Sequence, residues 1–153
     1  MSKIEWMSHD LAGDDKTALK WVYENPVWKV GIKNFKPANG LEGTVCLERH
    51  NATDELFVLL DGECVLLQAD DENGAAVNIT AVKMEPMRVY KIPKSLWHNT
   101  VTWPGTKLVL IENNPTDMTN SEIYQLTAEQ KAALPVVVKD CMFSYKTMSE
   151  RKP

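Results

Sequence analysis

Nine or so short β-prone runs, each closed by a turn signal, are what most restricts the fold of this chain. Residues 20–23 and 27–35 read as strands around the break at Asn25-Pro26, and 44–50 alternates in character. Residues 55–60 and 64–68 flank Asp61-Gly62, the strongest hairpin signal in the sequence. A polar turn is expected over 69–74, followed by runs at 77–84, 88–92, 97–103 and 107–112. Such a succession predicts a sandwiched or closed β structure rather than alternating β and α units. One helix is expected, over 127–134: Thr127 and Gln130 form a capping box, and Pro135 ends the run. Residues 149–153 read as a frayed tail.

A length of 153 residues predicts one domain, 1–153, large enough for a core without disulfide staples. A net charge of −4 argues against a nucleic-acid partner, which favours a basic face. The longest apolar runs, 56–60 and 134–138, are too short to cross a bilayer, so no membrane partner is expected. The first residues show no apolar core of a signal peptide. Three cysteines, Cys46, Cys64 and Cys141, are an odd number without close pairing and read as reduced thiols. The expected compartment is the cytoplasm.

The residues able to carry chemistry lie in two segments. The first is Glu48-Arg-His50-Asn-Ala-Thr-Asp-Glu55, continuing to Gly62; the second is Pro93-Lys-Ser-Leu-Trp-His98. Side chains on a strand alternate, so Glu48 and His50 share a face with Cα atoms about 6.6 Å apart, close enough for both to reach one ion. Cys46 has the same parity and reads as a small buried thiol, while His9, in a polar stretch without partners, reads as a surface residue. Trp97 is expected on the opposite face from His98, packed outside the barrel. The turn Trp103-Pro104-Gly105 is a candidate roof for a pocket, and Met84, Met87 and Met118 are expected to fill gaps.

Together the two segments resemble the paired motifs of the cupin superfamily. His50, Glu55 and Gly62 stand at the spacing of the second histidine, glutamate and glycine of the first motif, and Pro93 and His98 at that of the second. Glu48 occupies the place of the first histidine, and Gly43 lies one place off the leading glycine. Met87, Ser95 and Thr102 replace two glycines and an asparagine. The resemblance covers 43–112. It implies an all-β, cupin-like double-stranded β-helix (a jelly-roll barrel) with one short C-terminal helix. It also implies a homodimer paired through outer sheets, and a site where Glu48, His50, Glu55 and His98 point into the barrel mouth. Two imidazoles with one or two carboxylates suit Fe(II), Mn(II), Zn(II) or Ni(II).

The function expected from this set is a divalent-metal-dependent enzyme acting on a small polar molecule: a carbonyl compound, a hydroxy acid or a sugar. Isomerase, lyase and oxygenase chemistry stay open, because the fold hosts each. Two alternatives stand beside it. One is a metal-free binding module for a sugar or small acid, in which the carboxylates share a proton or bind protonated histidine. The other is a metal-independent sugar isomerase, since Trp97-His98 followed by 108–113 loosely resembles nucleotide-sugar ketoisomerases of the superfamily.

Overall fold

The computed structural model describes residues 18–149, and the side chains of 18–143. His9 and Trp6 lie outside this range, as do 150–153 of the expected tail. Ten strands form two antiparallel five-stranded sheets. They are β1 (Leu19–Glu24), β2 (Trp28–Asn34), β3 (Cys46–His50), β4 (Glu55–Asp61) and β5 (Cys64–Glu72). The second half of the chain adds β6 (Ala75–Lys83), β7 (Val89–Ile92), β8 (Trp97–Thr102), β9 (Lys107–Asn113) and β10 (Ser121–Gln125). One sheet has the order β1-β2-β9-β4-β7 and the other β10-β3-β8-β5-β6. This is the all-β jelly roll that the motif resemblance implies.

Alternation along the strands builds two cores. Phe57, Leu59, Cys64, Leu66, Leu108 and Leu110 meet between the sheets. Leu47, Val65, Leu67, Trp97 and Val101 point out of the second sheet and are covered by the helix α1 (Ala128–Ser149) through Leu134 and Val138. Trp97 thus lies on the face opposite His98, as its parity predicts. Arg49 stacks over its ring at 4.2 Å and pairs with Asp71 and Glu122 at 2.7 and 2.6 Å, tying β3 to β5 and β10.

Four expectations need correction. The helix does not stop at Pro135; it runs 22 residues, with Pro135 inside it. An interior proline costs about 3 kcal/mol. Leu134, Val138, Cys141 and Met142 form a stripe against the sheet, and each large apolar side chain buried contributes ~1.5–3 kcal/mol, which outweighs that cost. The capping box does form: Gln130 N donates to Thr127 Oγ1, and Thr127 N to Gln130 Oε1.

Asp61-Gly62 is not a hairpin turn either. β4 pairs with β7 and β9 while β5 pairs with β6 and β8, so this turn is a corner between sheets. Gly62 has φ +74°, and a Cβ there would sit 2.7 Å from Thr106 Cα, so glycine is needed for the close approach of two loops. The two-residue hairpin is Asn73-Gly74, both at positive φ, joining β5 to β6. Residues 69–72 expected in a turn belong to β5. Finally, Met84 fills a gap, but Met87 and Met118 are 73% and 67% exposed.

Met87 and Ser95, which replace motif glycines, keep the glycine conformation, with φ of +62° and +65°. A left-handed non-glycine residue costs ~1–2 kcal/mol, partly offset by the extra unfolded-state freedom of glycine. Met87→Gly is therefore expected to raise stability by about 0.5–1 kcal/mol, read as a Tm increase of a few degrees. Ser95→Gly is expected to gain nothing, because it removes the bond from Ser95 Oγ to Asn51 Oδ1 at 2.9 Å.

Candidate metal centre

The site residues come from strand alternation. On β3, Leu47 turns outward to the helix and Glu48 and His50 turn inward. Register pairs Glu48 directly with His98 on β8. Glu55, the first residue of β4, brings its carboxylate in from the other sheet. Its Oε2 lies 3.0 Å from His98 Nε2 and 3.5 Å from His50 Nε2. The two imidazoles stand edge to face at 5.4 Å between centroids. All four expected residues are thus brought together at the open end of the barrel.

Both rings are oriented from behind. His98 Nδ1 lies 2.9 Å from Leu96 O. A carbonyl only accepts, so Nδ1 carries a proton there and Nε2 is left facing Glu55 and the pocket. His50 Nδ1 lies 2.8 Å from Ser121 Oγ on β10. Such outer partners orient imidazoles in metal sites.

Two participants were not among the expected residues. Glu112, on β9, points inward in step with Leu108 and Leu110, and its Oε2 is 3.9 Å from His50 Nε2. Lys29, paired with Glu112 across β2 and β9, binds Glu112 Oε1 at 3.0 Å and Thr116 O at 3.1 Å. Its ammonium also lies 4.0 Å over the Trp21 ring. Both are buried, at 7% exposure each. Charged residues at the inward parity of a strand are the signal that would have found them.

Donor atoms of Glu48, His50 and His98 lie within 4.8 Å of one another, as do those of His50, Glu55 and Glu112. Within each trio the spacing suits one ion with bonds near 2.0–2.2 Å, and His50 belongs to both. The cluster opens into a cavity of about 320 Å³ also lined by Leu19, Trp21, Lys33 and Leu110. Trp103 does not line it, so the turn at 103–105 is no roof. It follows the far end of β8 from His98 and packs beside the helix-covered core. Cys46 is half-buried, and burial pushes its thiol up.

Burial by itself raises the Glu55 pKa, but the His50 and His98 imidazoles outweigh it and hold the carboxyl at about 2 against an ordinary 4.5. For His50, burial disfavours the charged ring, yet Glu55, Glu48 and Glu112 prevail and move it above 6.5. Glu112 is moved up, by burial first and then by Glu55, with Lys29 opposing.

A pH dependence follows for the metal-free protein. Glu55 is depressed in the folded state, so its contribution is present above pH 4.5 and lost as pH falls toward about 2. At ~1.4 kcal/mol per pH unit that span is worth about 3 kcal/mol. His50 is raised, so its contribution is present below pH 6.5 and lost as pH rises through the folded value. Urea midpoints measured from pH 2 to 8 should fall on the acid side, and Glu55→Gln should flatten that limb. An unchanged acid limb in Glu55→Gln would show that other carboxylates carry it.

No family model and no curated protein matches this chain. Solved structures do. The chain is similar to the Streptomyces protein Pac13, a nucleoside dehydratase, with a TM-score of 0.53 at 11% identity, over 72% of this chain and 80% of that one. It is also similar to a cupin-2 domain containing protein from Shewanella frigidimarina, at 18% identity and a TM-score of 0.45, over 63% and 79%. A third is KdgF from a Halomonas species, at 14% identity and a TM-score of 0.48, over 69% and 89%. At these identities the likeness concerns the fold. Two antiparallel five-stranded sheets in this order, with one C-terminal helix, have the fold of a cupin β-barrel.

Proposed function

We propose that this cupin-fold chain is a small-molecule enzyme centred on one divalent metal ion, held by His50, Glu55 and His98 with Glu48. The observation that supports it most is the charge of the cluster. Glu48, Glu55 and Glu112 bring three negative charges and Lys29 one positive, so a single divalent ion with neutral imidazoles balances these four side chains. Fe(II), Mn(II), Zn(II) and Ni(II) all accept this donor set. When bound, the ion supplies Lewis-acid polarisation of a substrate carbonyl or hydroxyl.

The chain's own residues do the rest. Leu96 O and Ser121 Oγ set the two rings. Lys29 holds Glu112 at the edge of the cluster, where its carboxyl can accept or return a proton. The apolar wall of Leu19, Trp21 and Leu110 sheds water from the bound molecule. Pac13, with the same fold, acts on a nucleoside, which supports small-molecule chemistry in such a barrel by analogy.

Metal analysis of untagged protein, expected to find about one ion per chain, tests the reading. No stoichiometric metal, with a melting temperature indifferent to chelator, would overturn it. The metal-free readings would then stand on the direct His98–Glu55 contact of 3.0 Å, a ready proton-shuttling pair.

The chain as a whole is read as one cupin domain acting in the cytoplasm, where Cys46, Cys64 and Cys141 stay reduced; all three are free. No described helix is long and apolar enough to cross a membrane. We also read it as a homodimer. α1 covers the outer face of one sheet, whereas register places Val30, Val58, Val89, Val109 and Ile111 together on the outer face of the other. Val89 is 67% exposed. Light scattering at micromolar concentration should find twice the 17.3 kDa chain mass, and a species of only that mass refutes the pairing.

A further inference from the structure

Lys33 has no role in the site as derived so far. It is half-buried on β2 and lines the cavity. Register opposes it to the inward-facing Leu108 and to Leu19, so it points into the barrel mouth with Lys29 and Gly31. Lys29 is consumed by Glu112. The Lys33 ammonium, by contrast, has no ion-pair or hydrogen-bond partner among the described residues. With one divalent ion neutralising the glutamates, Lys33 is the spare positive charge facing the cavity.

Between the two lysines stands an aromatic wall. Trp21 is opposite Gly31 in the β1–β2 register, and a Cβ at Gly31 would lie 3.0 Å from the indole. Glycine at this place lets the ring lie flat against β2. Trp21 is 36% exposed and lines the cavity, flanked by apolar Leu19, Leu110 and Met118. Lys33 lies four strand steps from Lys29, a span of roughly 13 Å.

We propose, resting on the metal reading above, that the cavity takes a flat monoanionic carboxylic acid. Its carboxylate pairs with Lys33, its planar body lies along Trp21, and an oxygen at its other end reaches the His50–Glu55–His98 cluster. A monoanion suits one unpaired cation, where a dianion would leave an excess charge in a half-buried site. The cavity of about 320 Å³ is at the small end of small-molecule pockets.

Titration calorimetry of the full chain with 4-hydroxycinnamate and its methyl ester tests this, using Mn(II)-loaded protein. The acid is expected to bind at least about tenfold more tightly than the ester, as a charge-assisted hydrogen bond provides. Lys33→Met should bring the two within about twofold and Lys33→Arg should keep the preference. Trp21→Leu should weaken acid and ester alike, several-fold, leaving their ratio unchanged. Melting curves check that each variant folds, and Lys33→Gln substitutes for a Met variant that does not. Chelator-treated protein should show a smaller preference, because the glutamates are then unneutralised, but one still dependent on Lys33. Failure of the metal reading therefore leaves the Lys33 dependence measurable, and failure of this proposal leaves metal stoichiometry untouched. Binding of neither probe, equal binding of both, or a preference that survives in Lys33→Met overturns it.

Discussion

His98→Ala is expected to strip the protein of stoichiometric divalent metal, and activity with it, while circular dichroism and the cooperative unfolding transition persist. The ring is 1% exposed and held at Nδ1 by Leu96 O, so Nε2 is presented in one direction, toward Glu55. Removing it takes away a buried donor that no neighbour can replace, and an affinity loss well above a hundredfold is expected, more than the 10–100-fold typical of an outer partner. His50→Ala should behave alike. Glu48→Gln separates the inner donors from the rest. If Glu48 is bound to the ion, Gln weakens binding and Glu48→His preserves it. If Gln binds the metal as tightly as the parent, Glu48 lies outside the coordination shell. Because His50 is moved above its ordinary pKa in the metal-free protein, protons compete with the ion there. Affinity should fall steeply on acidification through the histidine range, and dialysis at several pH values reads it.

The reverse separation is expected from Leu59→Ala. Leu59 is 1% exposed and packs between the sheets with Phe57, Cys64, Leu66 and Leu108. Truncation there leaves a cavity enclosed by two hydrogen-bonded sheets that cannot collapse inward, so the upper part of the usual ~2–5 kcal/mol range applies. Leu59 faces the core, whereas the donors stand at the mouth. Metal stoichiometry should therefore be retained at temperatures where the variant is folded. A denaturant midpoint unchanged from the parent would show that Leu59 is not a core residue.

Much of this arrangement was legible in the residues. The spacing of His50, Glu55 and His98 anticipated that these side chains converge, and alternation put Glu48 on their face and Trp97 on the other. Lys29 and Glu112 carry no local signal beyond their inward parity: each is a charged residue near a strand end, and only their register across β2 and β9 brings them together. Lys33 was hidden for the same reason. β10 escaped because Ser-Glu-Ile-Tyr-Gln carries little apolar signal, and its place is set by pairing with β3. Local propensity ends the helix at Pro135, and only the sheet that α1 covers carries it on to Ser149. Asp61-Gly62 misled because hairpin chemistry describes a turn and not which sheet the next strand joins.

The contacts that orient the site span most of the chain. His98 meets Glu55 across 43 positions, His50 meets Ser121 across 71, and Lys29 meets Thr116 across 87. During synthesis, then, no emerging fragment shorter than about residue 121 can orient His50, and the second strand must wait for the ninth. High sequence separation of contacts slows folding. The nascent chain thus passes through a long interval in which its two histidines and three glutamates are present but unassembled. Under the proposed metal reading, ion capture follows the pairing of β10 with β3, and pulse-labelled truncations ending before β10 are where that ordering becomes visible.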